Sequence, residues 1–174
     1  MKNSPPKISD YSLQYGTLQG LIAIAFSFML FILDQHYQGG TAVNLVNLAI
    51  AISVIYLAQI AYKKKNEGYI SLSESIKIGL GISLVSGILS ILFFLLLSNV
   101  LDPEMMDKTL LLVEDRMIES NPKITQQEID NIIKMTKKFS GPGTSSMFII
   151  IFSLFFGFII SLITGLVIKK TKTE

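Results

Sequence analysis

The chain has 174 residues, of which half are hydrophobic and 16% are charged, and its mean hydropathy is +0.53. This composition is typical of membrane proteins and lies outside the range of ordinary soluble domains. The net charge is only +2, and no basic stripe with interleaved aromatic residues is present, so we expect no nucleic-acid partner. The lack of cysteine and the single histidine, His36, exclude thiolate and multi-histidine metal sites.

Four apolar stretches predict four transmembrane helices, because each has close to the roughly 20 residues that a helix needs to cross a bilayer. None of them contains a charged residue, a histidine or a proline, so each should be an unbroken helix. We therefore expect an all-α integral membrane protein, with the lipid bilayer as its first partner. The predicted spans are residues 14–33, 42–62, 78–101 and 147–168.

The connecting segments predict the orientation, because lysine and arginine residues close to span ends stay in the cytoplasm. The loop at 63–77 carries four such residues, and the short loop at 34–41 carries none. This contrast places the tails, 1–13 and 169–174, in the cytoplasm and the segment 102–146 outside, although that segment itself carries six basic residues. We expect the protein in the cytoplasmic (inner) membrane.

The segment 102–146 has the pattern of an amphipathic helical hairpin. Asp102-Pro103-Glu104 is typical of a helix start, with an acidic N-cap and proline at the first helical position. Thr125-Gln126-Gln127-Glu128 is typical of a capping box that opens a second helix, and Gly141-Pro142-Gly143 would end that helix. A similar capping box, formed by Ser71 and Glu74, would lead into the third span.

Small residues recur at every fourth position in the last two spans. Such ridges let helix backbones approach closely, which is a main source of helix association in lipid. We expect them to pack helices within one chain. The alternative is an interface with a second copy in a homo-oligomer or with a membrane protein partner. The positions are Gly79, Ser83 and Gly87 in the third span, and Ser153, Gly157, Ser161 and Gly165 in the fourth.

Two amides in the second span, Asn44 and Asn47, lie three positions apart and therefore on one helix face near its outer end. Together with Asp34, Gln35 and His36, they are candidates for the lining of an outward-facing pocket. The more ordinary use of such amides is an interhelical hydrogen bond. We interpret His36 itself as a solvated loop residue, because no second ligand or nucleophile lies near it in the sequence.

The four spans contain no ionisable side chain, whereas coupled transporters and intramembrane proteases need such groups at membrane depth. Small multidrug exporters resemble the chain in size but depend on an intramembrane glutamate that is missing here. Asp102, Glu104 and Asp107 lack the glycine turn and the ligand spacing of a calcium loop. We therefore predict no catalytic residue, no metal and no cofactor, and a protein that is not an enzyme.

Several short motifs make the chain similar to a known family. Between Tyr11 and Lys170 the sequence resembles a bacterial family called domain of unknown function 4199. The resemblance implies a small four-span membrane protein with a helical segment before the last span, and it implies no activity or catalytic residue. The motifs are Gly68-Tyr69-Ile70-Ser71, Glu74-Ser75-Ile76-Lys77-Ile78-Gly79, Asp102-Pro103, and Tyr15-Gly16 with Gly20.

Two hypotheses for the function follow. The first is a non-enzymatic multi-pass protein that serves as an interaction, assembly or accessory subunit. The alternative is a small uncoupled permease or channel, with Asn44, Asn47, Ser83 and Ser86 among its lining residues. Because the bilayer part lacks reactive groups, we expect specific recognition to involve the hairpin, residues 103–140.

Overall fold

The computed structural model describes residues 6–171, which form six α-helices and, within that range, no β-strand. Four helices, with the third prolonged to Leu101, are long and apolar enough to cross a membrane. This confirms the predicted all-α membrane protein with a helical hairpin between the third and fourth spans. The bounds are α1 Ile8–Ile32, α2 Thr41–Lys65, α3 Leu72–Leu96, α4 Met105–Ser120, α5 Gln126–Phe139 and α6 Pro142–Ile168.

Helix α3 lies at the centre of the bundle, with α1 packed along it on one side and α6 on another. Small residues meet at the α3–α6 contact, where each glycine lies so close to its partner that an added Cβ would force a shift. The ridges therefore face each other within one chain. The contacts are Gly79 on Ser161, Gly157 on Ser83, Gly87 on Ser153 and Gly165 on Ser75.

One end of the bundle, where α1 begins and α6 ends, is filled by aliphatic side chains, and we call it the closed end. A single antiparallel bridge between Ile70 and Lys170 joins the α2–α3 connection to the residues after α6. Lys63 adds a hydrogen bond of 2.7 Å from its Nζ to the carbonyl of Ile168. The side chains with no exposed surface here include Ile55, Ile70, Ile78 and Ile82.

The predicted capping box at the start of α3 is confirmed. The Ser71 hydroxyl accepts a hydrogen bond from the Glu74 N–H at 3.2 Å, and the Glu74 carboxylate accepts one from the Ser71 N–H at 2.7 Å. The same carboxylate accepts a hydrogen bond of 2.8 Å from the hydroxyl of Tyr62, which lies in α2. The start of α3 is thereby joined to the end of α2.

At the opposite end, which we call the hairpin end, α2 leans away from the bundle. Leu45 is 60% exposed and Leu48 38%, whereas Ile55 and Ala58, further along the same helix, are fully buried. The gap beside the first turns of α2 opens into cavities on both of its sides.

The third span does not remain an α-helix to its end. Its last turn, Leu97–Leu101, is a π-helix, in which the N–H of Asp102 donates to the carbonyl of Leu97 over 2.8 Å. The span is thus one continuous helix to residue 101, as predicted, and only its final turn departs from α-helical geometry. Single π turns widen a helix and occur frequently at functional sites.

Helices α4 and α5 form the hairpin, and α5 begins with the predicted capping box of Thr125 and Glu128. The predicted start of α4 is wrong, because this helix begins at Met105 and no side chain caps it. The Asp102 carboxylate instead accepts hydrogen bonds from His36 and Lys108. The bonds to His36 and Lys108 direct this carboxylate away from the first N–H groups of α4, which leaves the helix without a side-chain cap.

Candidate functional site

Three polar side chains from separate segments meet at the hairpin end. His36 comes from the loop between α1 and α2, Asp102 follows the π turn, and Lys108 lies in α4. Nε2 of His36 is 2.9 Å from Oδ2 of Asp102, and Nζ of Lys108 is 3.1 and 3.0 Å from the two carboxylate oxygens. The side chains of His36 and Asp102 are only 3% and 9% exposed. We call these three residues the His36 cluster.

The cluster keeps the Asp102 carboxylate charged. Burial by itself would raise the pKa of this carboxyl group, but the hydrogen bonds from Lys108 and His36 outweigh burial and lower it below its usual value. The hydrogen bonds that Lys108 donates to Asp102 in turn raise the pKa of Lys108. Because an ionised carboxylate can only accept hydrogen bonds, Nε2 of His36 must carry the hydrogen between them.

The other ring nitrogen of His36, Nδ1, is buried and has no hydrogen-bond partner within residues 6–171. Buried polar atoms of this kind are rare, since most are bonded to protein or to water. In the neutral ring, the hydrogen on Nε2 leaves Nδ1 with a free lone pair.

Aromatic and backbone contacts hold the His36 loop in place. The imidazole ring makes edge contacts with Phe31 and Tyr37, with centroid distances of 5.2 Å in both cases. Nζ of Lys108 lies 5.6 Å from the centroid of the Tyr37 ring. Arg116 donates from Nη2 to the carbonyl of Gln38 at 2.7 Å. The loop is therefore fastened to α4 at two places, beside Lys108 and beside Arg116.

His36 also lines a cavity of about 180 Å³ between α1, α2 and α3. The cavity follows the last turns of α1 and α3, so its walls lie within the membrane-spanning segments and His36 lies beyond them in the loop. We call it the His36 cavity. The helices line it mainly with apolar side chains, such as those of Ile24, Leu30, Phe93 and Phe94, and with the two serines Ser27 and Ser90.

A second and larger opening, of about 660 Å³, lies between α2 and α6. Asn44 and Asn47 line it on one side and the stacked rings of Phe152 and Phe156 on the other. His36 lines the other cavity, so the single pocket that we expected from Asn44, Asn47 and the His36 loop is divided in two. We call this second opening the α2–α6 cleft.

The interhelical hydrogen bonds expected of Asn44 and Asn47 are made by two other amides. Gln19 donates to the Ser86 hydroxyl at 3.2 Å, and Gln59 donates to the Ser75 carbonyl at 3.3 Å. Among residues 6–171, no hydrogen bond involves the side chain of Asn44 or Asn47. The first turns of α2 stand too far from the bundle for such bonds, whereas α1 and the second half of α2 are packed against it.

The interpretation of His36 as a solvated loop residue is wrong, and the sequence contained no local signal for its burial. Asp102 is 66 positions away. The predicted topology alone places both residues at the same end of the bundle, since one follows the first span and the other follows the third. Within residues 6–171 no group of three or more His, Cys, Asp or Glu side chains could hold a metal ion.

Comparisons with known proteins identify a family and no function. No curated protein matches the chain, and no solved structure matches it either. The family described as protein of unknown function (DUF4199) matches residues 14–170, which is nearly the whole chain. The four apolar helices and the hairpin before the last of them fit this assignment. The chain therefore belongs to the DUF4199 family.

Proposed function

We propose that this protein is a non-enzymatic subunit of the cytoplasmic membrane that binds a protein partner through its α4–α5 hairpin. The observation that carries the proposal is an exposed apolar stripe on α5, which lies outside the four spans. Ile132, Met135 and Phe139 are 40%, 62% and 52% exposed. Their spacing of three and four positions places them on one face of the helix.

The stripe differs from the exposed apolar side chains of the spans. Lipid covers the latter, whereas Met135 and Phe139 lie on a helix that also carries charged residues such as Lys134 and Lys138. Apolar patches rimmed by polar residues on a surface that faces water mark interaction sites. Burial of such a stripe by a partner would remove the unfavourable exposure.

The charge of the hairpin favours a protein partner over the bilayer surface. Residues 102–140 contain eight acidic and six basic side chains. Helices that lie in the membrane interface are usually rich in lysine and arginine, which attract anionic lipids. Although α5 itself carries three lysines and two acidic residues, the hairpin as a whole is acidic, and this weakens any attraction to anionic lipids. The bonds of Lys108 and Arg116 to the bundle side also hold the hairpin in one position, and this lowers the entropic cost of binding a partner.

The orientation is part of the proposal. Residues 63–77, at the end of α2 and the start of α3, contain four lysines, whereas the α1–α2 loop contains none, and this bias supports a cytoplasmic closed end. The hairpin would then lie outside the cytoplasm and would meet partners on that side.

The alternative function, an uncoupled permease or channel, has less support. A solute that entered the α2–α6 cleft would meet the closed end, where Ile55, Ile78 and Ile82 have no exposed surface. Asn44 and Asn47 line the cleft only beside the first turns of α2. Passage would require the bundle to separate at its most tightly packed part.

Site-specific photocrosslinking in native membranes tests the proposal. A photoreactive residue in place of Met135 should form an adduct with a second protein or a second copy, whereas one in place of the neighbouring Lys134 should not. Adducts of Met135 with lipid alone would contradict the proposal, and so would equal protein adducts from both positions. Passage of a solute through liposomes that contain only this chain would favour the permease.

A further inference from the structure

We propose that the α2–α6 cleft binds a quinone dissolved in the membrane. The quinone ring would lie against Phe152 and Phe156, and its carbonyl groups would accept hydrogen bonds from the side-chain N–H groups of Asn44 and Asn47. Its apolar tail would leave the cleft between α2 and α6 and remain in the surrounding lipid. The site is separate from the apolar stripe on α5, so this proposal and the proposed function can fail independently.

The first argument is the pair of amides in the cleft. Asn44 and Asn47 are both exposed, and within residues 6–171 neither side chain makes a hydrogen bond. Ile55 and Ala58 lie eleven positions after them, which is about three helical turns, and are fully buried in the bundle. The amides therefore lie on the face of α2 that is directed at the bundle, where α2 leans away from it. Their N–H groups are accessible and free to donate to a bound acceptor.

The second argument is the lack of charge. In the part of the chain that the structure describes, no ionisable side chain lines the cleft or the smaller opening, of about 220 Å³, that continues from it. A phosphate or ammonium headgroup would find no ion-pair partner there, and an unpaired charge is costly to bury. The ligand should therefore be uncharged and carry groups that bond to an amide. The carbonyl groups of a quinone meet both requirements.

The third argument is depth. The smaller opening shares Phe152 and Phe156 with the cleft and is also lined by Ser153. Ser153 lies eleven positions after the start of α6 and fifteen before its end, so the opening reaches the middle of this span. A phospholipid cannot bring its polar groups to this depth, because charged groups are costly inside the membrane. A quinone ring carries no charge and can enter.

The fourth argument is the aromatic wall. The rings of Phe152 and Phe156 are stacked with centroids 6.5 Å apart, and these side chains are 55% and 48% exposed. Phenyl rings pack favourably with a second aromatic or planar ring. The cleft, of about 660 Å³, is mainly apolar with a few polar groups, which is typical of small-molecule sites. An aromatic wall opposite two amides favours a planar ring with carbonyl groups over a flexible acyl chain.

Photolabelling of the full chain in phosphatidylcholine nanodiscs tests the proposal. The probe is a benzoquinone that carries an azido group on the ring and a decyl tail. We expect labelling that saturates at one probe per chain, with the adduct on the parts of α2 or α6 that line the cleft. A cleft that holds phospholipid or a second copy of the chain would give no saturable labelling. That result, or adducts spread over the other helices, would overturn the proposal.

Two competitors test the hydrogen bonds to the amides. Decylbenzoquinone should prevent labelling when it is present at the same mole fraction in the bilayer as the probe. Decylbenzene has the same tail and a planar ring but no carbonyl group, so it should compete at least about tenfold less well. Equal competition by the two compounds would show that the cleft is only an apolar site and would overturn the proposal.

Substitutions locate the site. The double variant Asn44→Leu, Asn47→Leu keeps a similar side-chain volume but removes the amides, so labelling should fall about tenfold. Its thermal midpoint should be unchanged, because neither amide is bonded within residues 6–171. Ala51→Leu narrows the cleft and should abolish labelling, whereas Ala49→Leu, at an exposed position of α2 outside the cleft lining, should not.

The double variant decides the proposal even if Ala51→Leu fails to fold. Undiminished labelling of the double variant would overturn it. Loss of folding in the double variant would overturn it too, because the amides would then be bonded within the chain. An equal loss of labelling in Ala49→Leu and Ala51→Leu would place the probe outside the cleft and would also contradict the proposal.

Discussion

Gly157 of α6 lies directly against Ser83 of α3, and no Cβ fits between them without displacing the serine side chain. Gly157 is also within reach of the backbone of Gly79, at 3.3 Å from the position that a Cβ would take to the carbonyl oxygen. The backbones of α3 and α6 therefore approach each other closely at this contact. Such a contact has little room to relax, which makes it a direct test of where the small-residue ridges act.

Replacement of Gly157 by leucine should destabilise the fold. A leucine side chain must push α6 away from α3, and we expect a cost of about 3 kcal/mol or more. Gly143→Leu is the control, because nothing lies within 4 Å of a Cβ at that position. The thermal midpoint and the oligomeric state in detergent should be measured together. A Gly157→Leu variant that stays folded and loses only an oligomer would assign the ridge to an interface between chains.

Gln59 should be replaceable by methionine but not by glutamate. Its side chain is fully buried, its Nε2 donates to the Ser75 carbonyl at 3.3 Å, and its Oε1 has no partner. Gln59→Met keeps the volume and removes the unpaired oxygen, so stability should change by less than about 1 kcal/mol. Gln59→Glu places an ionisable group at membrane depth and should cost about 3 kcal/mol. Equal losses in the two variants, measured by thermal unfolding, would contradict this account.

The attachment of the hairpin should weaken in acid. The pKa of Asp102 is lowered in the folded protein, so the stability that its charge contributes is present above the ordinary aspartate pKa of about 3.9 and is lost as the pH falls through the folded value. The pKa of Lys108 is raised, so its contribution persists at neutral pH and is lost only in strong alkali. The protection factors of the α4 amides, which compare their exchange with that of an unfolded chain at the same pH, should therefore fall below about pH 4.

Asp102→Asn is the matched variant for the acid effect. It keeps the shape of the side chain but removes the charge that binds Lys108, so exchange in α4 should already be faster at neutral pH. The fall in the protection factors below pH 4 should then be smaller than in the natural sequence. An acid response of the same size in both proteins would assign it to other carboxylates, such as Glu104 or Asp107.

The orientation can be tested by cysteine labelling, because the natural chain contains no cysteine. Glu119→Cys lies on the exposed side of the hairpin, and Lys64→Cys is exposed near the end of α2. A maleimide that cannot cross the membrane should label Glu119→Cys in intact cells and Lys64→Cys only after permeabilisation. The reverse pattern would place the hairpin in the cytoplasm.

The sequence predicted the features that depend on neighbouring residues. The apolar spans, the capping boxes at Ser71 and Thr125, and the helical hairpin all follow from composition and from spacings of three or four positions. The prediction of where α4 starts was wrong for the same reason. Asp102 carries the local signature of a helix cap, and no local pattern reveals that His36 and Lys108 hold its carboxylate.

By itself, then, the sequence determined that the chain is a four-span helical membrane protein with a hairpin before its last span, because hydrophobicity and helical periodicity are properties of contiguous residues. The tertiary structure alone decided which small residues face each other across α3 and α6. It also decided that Asn44 and His36 line separate openings and that Nδ1 of His36 is buried without a hydrogen-bond partner among residues 6–171. These outcomes depend on how the helices lean and on side chains brought together from 66 positions apart, and no local pattern contains that information.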